Sequence, residues 1–340
     1  MNPRARFAVS VALALSASAA WAQKTELLVY TALETDQLKA YTESFQKTNP
    51  DIDLKFVRDS TGVITAKLLA EKANPQADVI WGLAATSLLV LKPEGMLMPY
   101  APKGLERLDA QFRDKDNPPA WVGMDAWVAA ICFNTVEAQK KNLPKPASWK
   151  DLTKPVYKGT IVMPNPASSG TGFLDVTSWL QIFGESEGWK YMDGLHQNIG
   201  VYTHSGSKPC TMAGAGEYPL GVSFEFRAAR QKKQGAPIDI VFPSEGSGWD
   251  MEATSIVKGT KNLDAAKTLV DWSVTDKAMK LYNEGYAVVA ISKMSQPIEY
   301  LPGNMLEHMI KNDFQWAAVN RAKILGEWEK RYGAKSEPKK

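Results

Sequence analysis

The first hundred residues alternate between short apolar segments and amphipathic segments, and this alternation constrains the fold more than any other feature. Glu26–Tyr30, Ile52–Val57 and Ala77–Gly82 have the length and composition of β-strands. Between them apolar residues recur at helical spacing, and each predicted helix ends at an Asn-Pro pair. Strands separated by helices predict a parallel sheet covered on both faces, whose ligands bind beyond the carboxyl ends of the strands.

A change of composition at residues 114–126 predicts the start of a second lobe. A polar, proline-broken loop precedes the apolar segment Trp127–Phe133, which we expect to cross between lobes, and Pro237–Pro243 is expected to cross back. The sequence predicts a signal peptide at residues 1–22 and two lobes after it. The first lobe is expected to consist of residues 23–126 plus about 244–290, and the second of residues 127–243 plus about 291–340.

The part of the chain after residue 243 is predicted to alternate helices and loops. One late helix is expected to carry Trp316, Val319, Ile324 and Trp328, which follow one another at helical spacing. The charged tail, residues 333–340, is predicted to be loose.

The amino terminus has the pattern of a secretory signal peptide. Arg4 and Arg6 precede a short apolar run, and Ala20-Trp21-Ala22 is a small-residue cleavage signal. We therefore expect cleavage after Ala22, export to the periplasm and a mature chain of 318 residues. Its formal net charge falls from +3 to +1, so neither nucleic acid nor an anionic membrane is expected as a partner.

Cys132 and Cys210 are the two cysteines of the chain, too few for a disulfide framework. One bridge can form after export, but the sequence leaves the pairing open. Two buried thiols are the slightly favoured alternative.

Hydroxyl-rich turns follow several of the predicted strands and predict an anion site. In residues 163–173, hydroxyls and glycines lie between a strand and a helix, where free backbone N–H groups and the helix dipole favour a phosphate, phosphonate or carboxylate. An ordinary capped helix start is the alternative. The candidate anion ligands are Ser60, Thr61, Ser168, Ser169, Gly170, Thr171 and Ser205.

Two acids at the ends of predicted strands favour a cation, in contrast to the turns that favour an anion. Glu34 and Glu225 are expected beside aromatic residues, where a carboxylate can bind an ammonium group. Tyr30, Trp81 and Phe226 are the candidate cleft wall. The alternative is that both glutamates are surface acids.

Enzyme motifs are mostly absent from the sequence. The three histidines are far apart and match no zinc spacing, and there is no Walker loop, nucleophile elbow or dinucleotide fingerprint. Ser205 and Lys208 fit the S-x-x-K pattern of serine acyl-transfer enzymes, which arises easily by chance. We expect a protein that is no enzyme, with no catalytic residue, cofactor or metal.

The chain resembles the periplasmic solute-binding proteins of ABC importers, in the group that includes the ferric-iron binders. The resemblance rests on Leu28–Thr31, Ala77–Trp81, Pro166–Gly170 and Gly221–Phe226 and covers essentially the whole mature chain. Within that group it is most similar to the 2-aminoethylphosphonate-binding proteins. The resemblance implies an α/β, two-lobe type II fold with two crossing hinge strands and a ligand cleft, which closes on the ligand. It also implies a monomer that delivers its ligand to an inner-membrane ABC permease.

Departures from the iron binders favour a different ligand. Those relatives place paired tyrosines where this chain has Glu225 and Phe226, and a histidine near Glu34. Phenylalanine cannot ligate iron, whereas the anion turn is retained at Ser168–Gly170. An anion seat facing carboxylates suits 2-aminoethylphosphonate. An amino acid, another small anion and ferric iron stay open as alternatives.

Overall fold

The computed structural model describes residues 24–338. The predicted signal peptide, with its cleavage site after Ala22, lies outside these residues. None of the helices described combines the length and apolar character needed to cross a bilayer.

Strands and helices alternate along most of this region. The strands are β1 Thr25–Thr31, β2 Ile52–Arg58, β3 Val79–Ala84, β4 Leu97–Met98, β5 Val122–Asn134, β6 Ile161–Pro164, β7 Ile199–Thr203, β8 Leu220–Phe224, β9 Ile238–Val241, β10 Trp249–Val257 and β11 Val288–Val289. The helices are α1 Thr35–Thr48, α2 Thr61–Ala70, α3 Ala85–Leu91, α4 Thr135–Lys140, α5 Gly170–Phe183, α6 Glu185–Asn198, α7 Lys208–Gly214, α8 Glu225–Lys233, α9 Leu263–Ser273, α10 Asp276–Glu284, α11 Met305–His308, α12 Phe314–Val319 and α13 Arg321–Tyr332.

Two long strands, β5 and β10, connect two parallel half-sheets. In the first half β1 pairs in parallel with β2 and β3, and in the second β6 pairs in parallel with β7 and β8. All 13 residues of β5 are buried; its first part pairs with β10 and its second part with β8 and β9. The predicted two-lobe α/β fold with two crossing strands is therefore confirmed.

Each half-sheet has its own hydrophobic core. Trp81 and Trp272 pack edge to face in the first core, with ring centroids 5.8 Å apart. Trp149 and Trp179 pack in the same way in the second, 5.4 Å apart. Met305 packs in the first core although its position in sequence is within the predicted second lobe. The C-terminal part of the chain thus contributes to both cores, since Trp328 packs in the second.

The strand that crosses back is β10 and not the predicted segment 237–243. The short strand β9 pairs with the second part of β5, and β10 then pairs with β3 and the first part of β5. All nine residues of β10 are buried, including Asp250 and Glu252. These two acids interrupt the apolar pattern, which is why the sequence did not indicate a strand here.

The predicted late helix is two helices. α12 ends at Val319 and α13 begins at Arg321. Val319 was placed on the apolar face with Trp316, but it is 73% exposed at this break. The single helical spacing predicted across the segment is therefore wrong.

The tail is held in place as far as Pro338, against the expectation that it is loose. The backbone N–H of Glu337 donates to the Tyr202 carbonyl at 2.9 Å, and Oε1 of Glu337 accepts from the N–H of His204 at 2.6 Å. Asn165 Nδ2 donates to Ser336 Oγ at 2.9 Å. Pairing with polar backbone groups of the second lobe thus orders residues that the sequence marks only as charged.

Cys132 and Cys210 form a disulfide that joins β5 to α7. The favoured alternative of two buried thiols is therefore wrong. Their Cα atoms are 5.3 Å apart, a separation that a disulfide spans, but a separation of 78 positions in sequence hides this proximity from any local pattern.

Candidate functional site

A polar cavity lies between the two half-sheets, beyond the carboxyl ends of β1, β2 and β3. Its volume is about 50 Å³, which leaves room for a few water-sized groups. It is lined by Ala32, Glu34, Arg58, Ser60, Thr61, Gly82, Ala84, Trp127, Ser169, Gly170, Thr171, Ser205, Gly206, Phe224, Phe226 and Glu252.

Two helices from opposite sides begin at this cavity. Ser60 and Thr61 stand where β2 leads into α2, and Ser169 and Gly170 stand at the start of α5. The Ser169 hydroxyl accepts from the Gly172 N–H at 3.2 Å and caps α5. Positive ends of both helix dipoles therefore face the cavity, as an anion requires.

Glycines bring the hydroxyl-bearing turns into close contact. A Cβ at Gly170 would lie 2.6 Å from Thr61 Oγ1, and a Cβ at Gly206 would lie 2.4 Å from Thr171 Oγ1. The turn that contains Ser205 therefore packs directly on the start of α5. The absence of side chains at these two positions lets three turns line one small space.

Backbone donors accompany the hydroxyls. Among residues 24–338, no acceptor takes the N–H groups of Gly170 and Thr171, which belong to the first turn of α5. Ser168 differs from its neighbours, because its hydroxyl donates to the His204 carbonyl at 3.1 Å and does not line the cavity. Of the seven predicted anion ligands, the cavity therefore brings together all but Ser168.

Glu34 lines the cavity but is already paired with two arginines. Its Oε2 accepts from Arg227 at 2.8 Å and lies 3.5 Å from the guanidinium of Arg58. Arg227 is on α8 and reaches Glu34 from the opposite side of the cleft, and Arg230 on the same helix pairs with Asp36. The three side chains Glu34, Arg58 and Arg227 together carry one net positive charge.

Glu225 was expected to be the end of a strand. It directly follows β8 and is the first residue of α8. It is completely buried, and its Oε2 accepts from the Val128 N–H of the crossing strand at 2.6 Å. Burial is the main cause that raises the pKa of Glu225 well above its usual value. The carboxyl group lies behind the cavity and is not among the lining residues.

The three predicted wall residues lie in different places. Phe226 lines the cavity together with Phe224, their ring centroids 4.4 Å apart. Trp81 is fully buried in the first core. Tyr30 also packs in that core, and its hydroxyl donates to Glu71 Oε2 at 3.0 Å. Tyr30 is level with Ile80 on β3, so Tyr30 and Trp81 lie on opposite faces of the sheet, and each packs in the core on its own side and not in the cleft.

Sequence reasoning missed three lining residues of chemical interest. Arg58 is the last residue of β2, directly before the predicted Ser60 turn, so its position could have indicated it. Trp127 and Glu252 lie on the crossing strands β5 and β10. Glu252 had no such signal, because β10 was not recognised as a strand.

Glu252 and Asp125 form a buried carboxyl pair at the base of the cavity. They face each other across β10 and β5, which places their side chains on the same face of the sheet. Asp125 is fully buried and Glu252 is 6% exposed. Burial is the main cause that raises the pKa of both groups, and for Glu252 the neighbouring Asp125 charge adds to the rise.

The serine and the lysine of the S-x-x-K pattern do not form a hydrogen bond with each other. Lys208 pairs with Glu337 of the tail, and the Ser205 hydroxyl lies 3.0 Å from that of Ser207. A serine nucleophile needs a base within hydrogen-bond reach. This arrangement disfavours the acyl-transfer alternative.

Metal ligands do not converge in the described part of the chain. Within residues 24–338, no three His, Cys, Asp or Glu side chains are grouped so that they could hold a metal ion. The described cavity lining also contains no tyrosine.

Comparison with known proteins assigns the chain to a family. Residues 74–309 match the family described as bacterial extracellular solute-binding protein. The chain belongs to this family. An uncharacterised protein of Haemophilus influenzae is 30% identical over 94% of both chains. A probable ABC transporter periplasmic-binding protein of Sinorhizobium fredii, y4fP, is 27% identical over 70% of this chain and 67% of that one.

Solved structures agree with this assignment. AfuA of Actinobacillus pleuropneumoniae, a periplasmic binding protein with fructose-6-phosphate bound, superimposes with a TM-score of 0.85 at 28% identity, covering 91% of this chain and 99% of AfuA. Iron-bound HitA of Pseudomonas aeruginosa gives 0.76 at 18% identity, covering 89% and 99%. This solute-binding protein therefore has the type II periplasmic binding protein fold.

Proposed function

We propose that this solute-binding protein is the periplasmic component of an ABC transporter and captures 2-aminoethylphosphonate in its cleft. An exported monomer, its signal peptide removed after Ala22, would close on the ligand and deliver it to an inner-membrane permease. The name of the Sinorhizobium fredii relative supports the transporter assignment.

The observation that carries the proposal is the meeting of two helix starts and three hydroxyl turns in one small cavity. Ser60 and Thr61 face Ser169, Gly170 and Thr171, with Ser205 beside them. A phosphonate has three oxygens that can accept from hydroxyls and free backbone N–H groups. The net positive charge of the Glu34–Arg58–Arg227 group, whose members are at least two-thirds buried, adds to the attraction for a dianion.

The same cavity argues against ferric iron as the cargo. Its lining within residues 24–338 offers hydroxyls, glycines and two glutamates, and one of these, Glu34, is paired with arginines. Ferric iron favours anionic oxygen ligands, whereas neutral hydroxyls and N–H donors favour an oxyanion.

A phosphorylated sugar is the second candidate. AfuA, with fructose-6-phosphate bound, is 28% identical to this chain and superimposes over most of it. A sugar phosphate would use the same anion seat but would present hydroxyl groups at its other end. The two candidates thus differ at the end of the ligand that lies away from Ser169 and Gly170.

Titration calorimetry of the mature protein tests both candidates. We expect 2-aminoethylphosphonate to bind, with weaker or no binding of inorganic phosphate, β-alanine and a ferric salt. Tight binding of fructose 6-phosphate without binding of the phosphonate would favour the second candidate. Binding of the ferric salt alone would overturn the proposal.

A further inference from the structure

We infer that Asp125 and Glu252 form the seat for the positively charged end of the ligand, which makes them the specificity determinants for an ammonium-bearing anion. This inference rests on the proposed function and goes beyond it. It assigns the cation seat to residues on the two crossing strands, and not to Glu34 and Glu225, at which the sequence pointed.

The geometry of the pair carries the inference. Glu252 lines the cavity, and its Oε2 is buried with no hydrogen-bond partner among residues 24–338. Asp125 stands directly opposite on β5, close enough for the two carboxyl groups to share a proton, and within the same residues no other group donates to Asp125. Buried polar atoms are nearly always paired. A buried carboxyl pair that reaches a ligand cavity through Glu252, and that only its own proton satisfies, therefore points to a donor that arrives with the ligand.

Within residues 24–338, no lysine or arginine forms an ion pair with either acid. The titratable groups that face the pair are Tyr41 from α1, Tyr282 from α10, Glu34 from the turn before α1, and Glu225 from α8. Each of these is a phenol or a carboxyl group. The arginines of the cleft are bound to Glu34, so a cation from outside would meet an uncompensated acid pair.

Aromatic rings complete the surroundings of this seat. Trp127, two residues from Asp125 on the same strand, lines the cavity together with Phe224 and Phe226. The faces of aromatic rings attract cations electrostatically. The base of the cleft therefore suits an ammonium group better than a neutral polar tail.

Binding of the ligand at this seat replaces a proton on the carboxyl pair by the ammonium group of the ligand. Because burial raises the pKa of both carboxyl groups, the pair holds a proton more tightly than carboxyl groups in water do. The ligand ammonium, which keeps its three hydrogens, takes the place of that proton. The proton passes to solvent, so capture of the amine should release up to one proton.

Calorimetry of the mature protein with 2-aminoethylphosphonate and ethylphosphonate tests the inference. Titrations at pH 7 in two buffers of different ionisation enthalpy measure the protons released, and ethylphosphonate accounts for any exchanged by the phosphonate group. We expect additional proton release with the amine in the wild type, and none in Asp125→Asn. In Glu252→Gln, affinity for the amine should fall at least about tenfold, with that for ethylphosphonate nearly unchanged.

The control is Asp175→Asn, which removes another fully buried acid without a hydrogen-bond partner that, unlike Asp125, does not stand opposite a carboxyl group of the cavity lining. It should behave as the wild type towards both ligands. The inference is wrong if the wild type binds the two phosphonates equally. It is also wrong if Glu252→Gln and Asp125→Asn both keep the preference for the amine. In either case the proposed capture of the anion is unaffected. If the wild type binds neither phosphonate, the proposed function fails, and the inference fails with it.

Discussion

The backbone N–H of Gly62 donates to the carbonyl oxygen of Ser168, 2.8 Å away, and so joins the start of α2 to the loop before α5. A Cβ at Gly62 would lie 2.0 Å from the Ala167 carbonyl oxygen, closer than side chains approach a backbone. The two lobes thus meet at a point where one of them has no side chain. This contact encloses the hydroxyl-lined cavity between them.

Gly62→Ala should therefore weaken ligand capture without harming the fold. Gly62 lies inside α2 and alanine favours helices, so the melting temperature should not fall. The added methyl group has room only if the lobes stay apart, so affinity for 2-aminoethylphosphonate should drop at least about tenfold. Calorimetry measures the loss, and small-angle scattering should show that ligand no longer compacts the variant.

Gly326→Ala is the matched control for this change. Gly326 lies inside α13, and a Cβ there would meet nothing within 4 Å. It carries the same propensity change without the lobe contact, so its affinity should equal that of the wild type. Wild-type affinity in Gly62→Ala would contradict the assignment of this contact to closure.

The parts of the molecule that the sequence predicts are those set by local pattern. β1, β2 and β3 fall within one or two residues of their predicted bounds, because apolar periodicity decides them. The hydroxyl turns of the candidate site follow from strand order in the same way. By contrast, β10 is stabilised by pairing on both sides, and its acids Asp250 and Glu252 conceal it from any local pattern.

Long-range contacts explain the other differences. Glu34 pairs with Arg58 and Arg227, which are 24 and 193 residues away from it in sequence. The Cys132–Cys210 bridge and the pairing of Glu337 with His204 join segments that no periodicity connects. Such contacts decide which of several exposed-looking polar residues face the cleft, and no local pattern in the sequence indicates them.

The tail residue Glu337 should support the turn that contains Ser205. Its carboxylate accepts from the His204 N–H at 2.6 Å and pairs with Lys208, and these contacts lower its pKa although burial alone would raise it. Glu337→Gln removes the charge and should weaken phosphonate binding about two- to fivefold through a less ordered turn. Calorimetry checks this value, and Lys330→Gln, a surface change in the last turn of α13, should have no effect.

The pH dependence of this contact follows from the lowered pKa. A depressed carboxyl pKa stabilises the folded state above the unfolded value, near pH 4, and that stabilisation is lost as pH falls through the folded pKa. The difference in melting temperature between the wild type and Glu337→Gln should therefore shrink as pH is lowered below 4. A difference that persists at pH 3 would mean that the charge is not responsible.

The Cys132–Cys210 bridge should make a large contribution to the stability of the second lobe. It closes a loop across 78 residues of sequence and so restricts the unfolded chain. The double variant Cys132→Ser, Cys210→Ser should lose about 2–4 kcal/mol of unfolding free energy in urea titrations. Addition of a reductant should destabilise the wild type and leave the double variant unchanged; equal sensitivity of both proteins would contradict the bridge.

Asp125 should cost the ligand-free protein stability at neutral and alkaline pH. Burial raises the pKa of Asp125 in the folded state above its value in the unfolded state, which is about 3.9. Between these two pKa values the folded state binds more protons than the unfolded state. The folded protein therefore loses stability as pH rises from the unfolded pKa towards the folded pKa. Asp125→Asn removes this penalty and should stabilise the ligand-free protein at pH 8 relative to the wild type, by upward of about 1 kcal/mol. At pH 4 the two proteins should differ little. Urea unfolding at both pH values measures the change, and a variant that is less stable than the wild type at pH 8 would mean that the carboxylate is compensated by a cation.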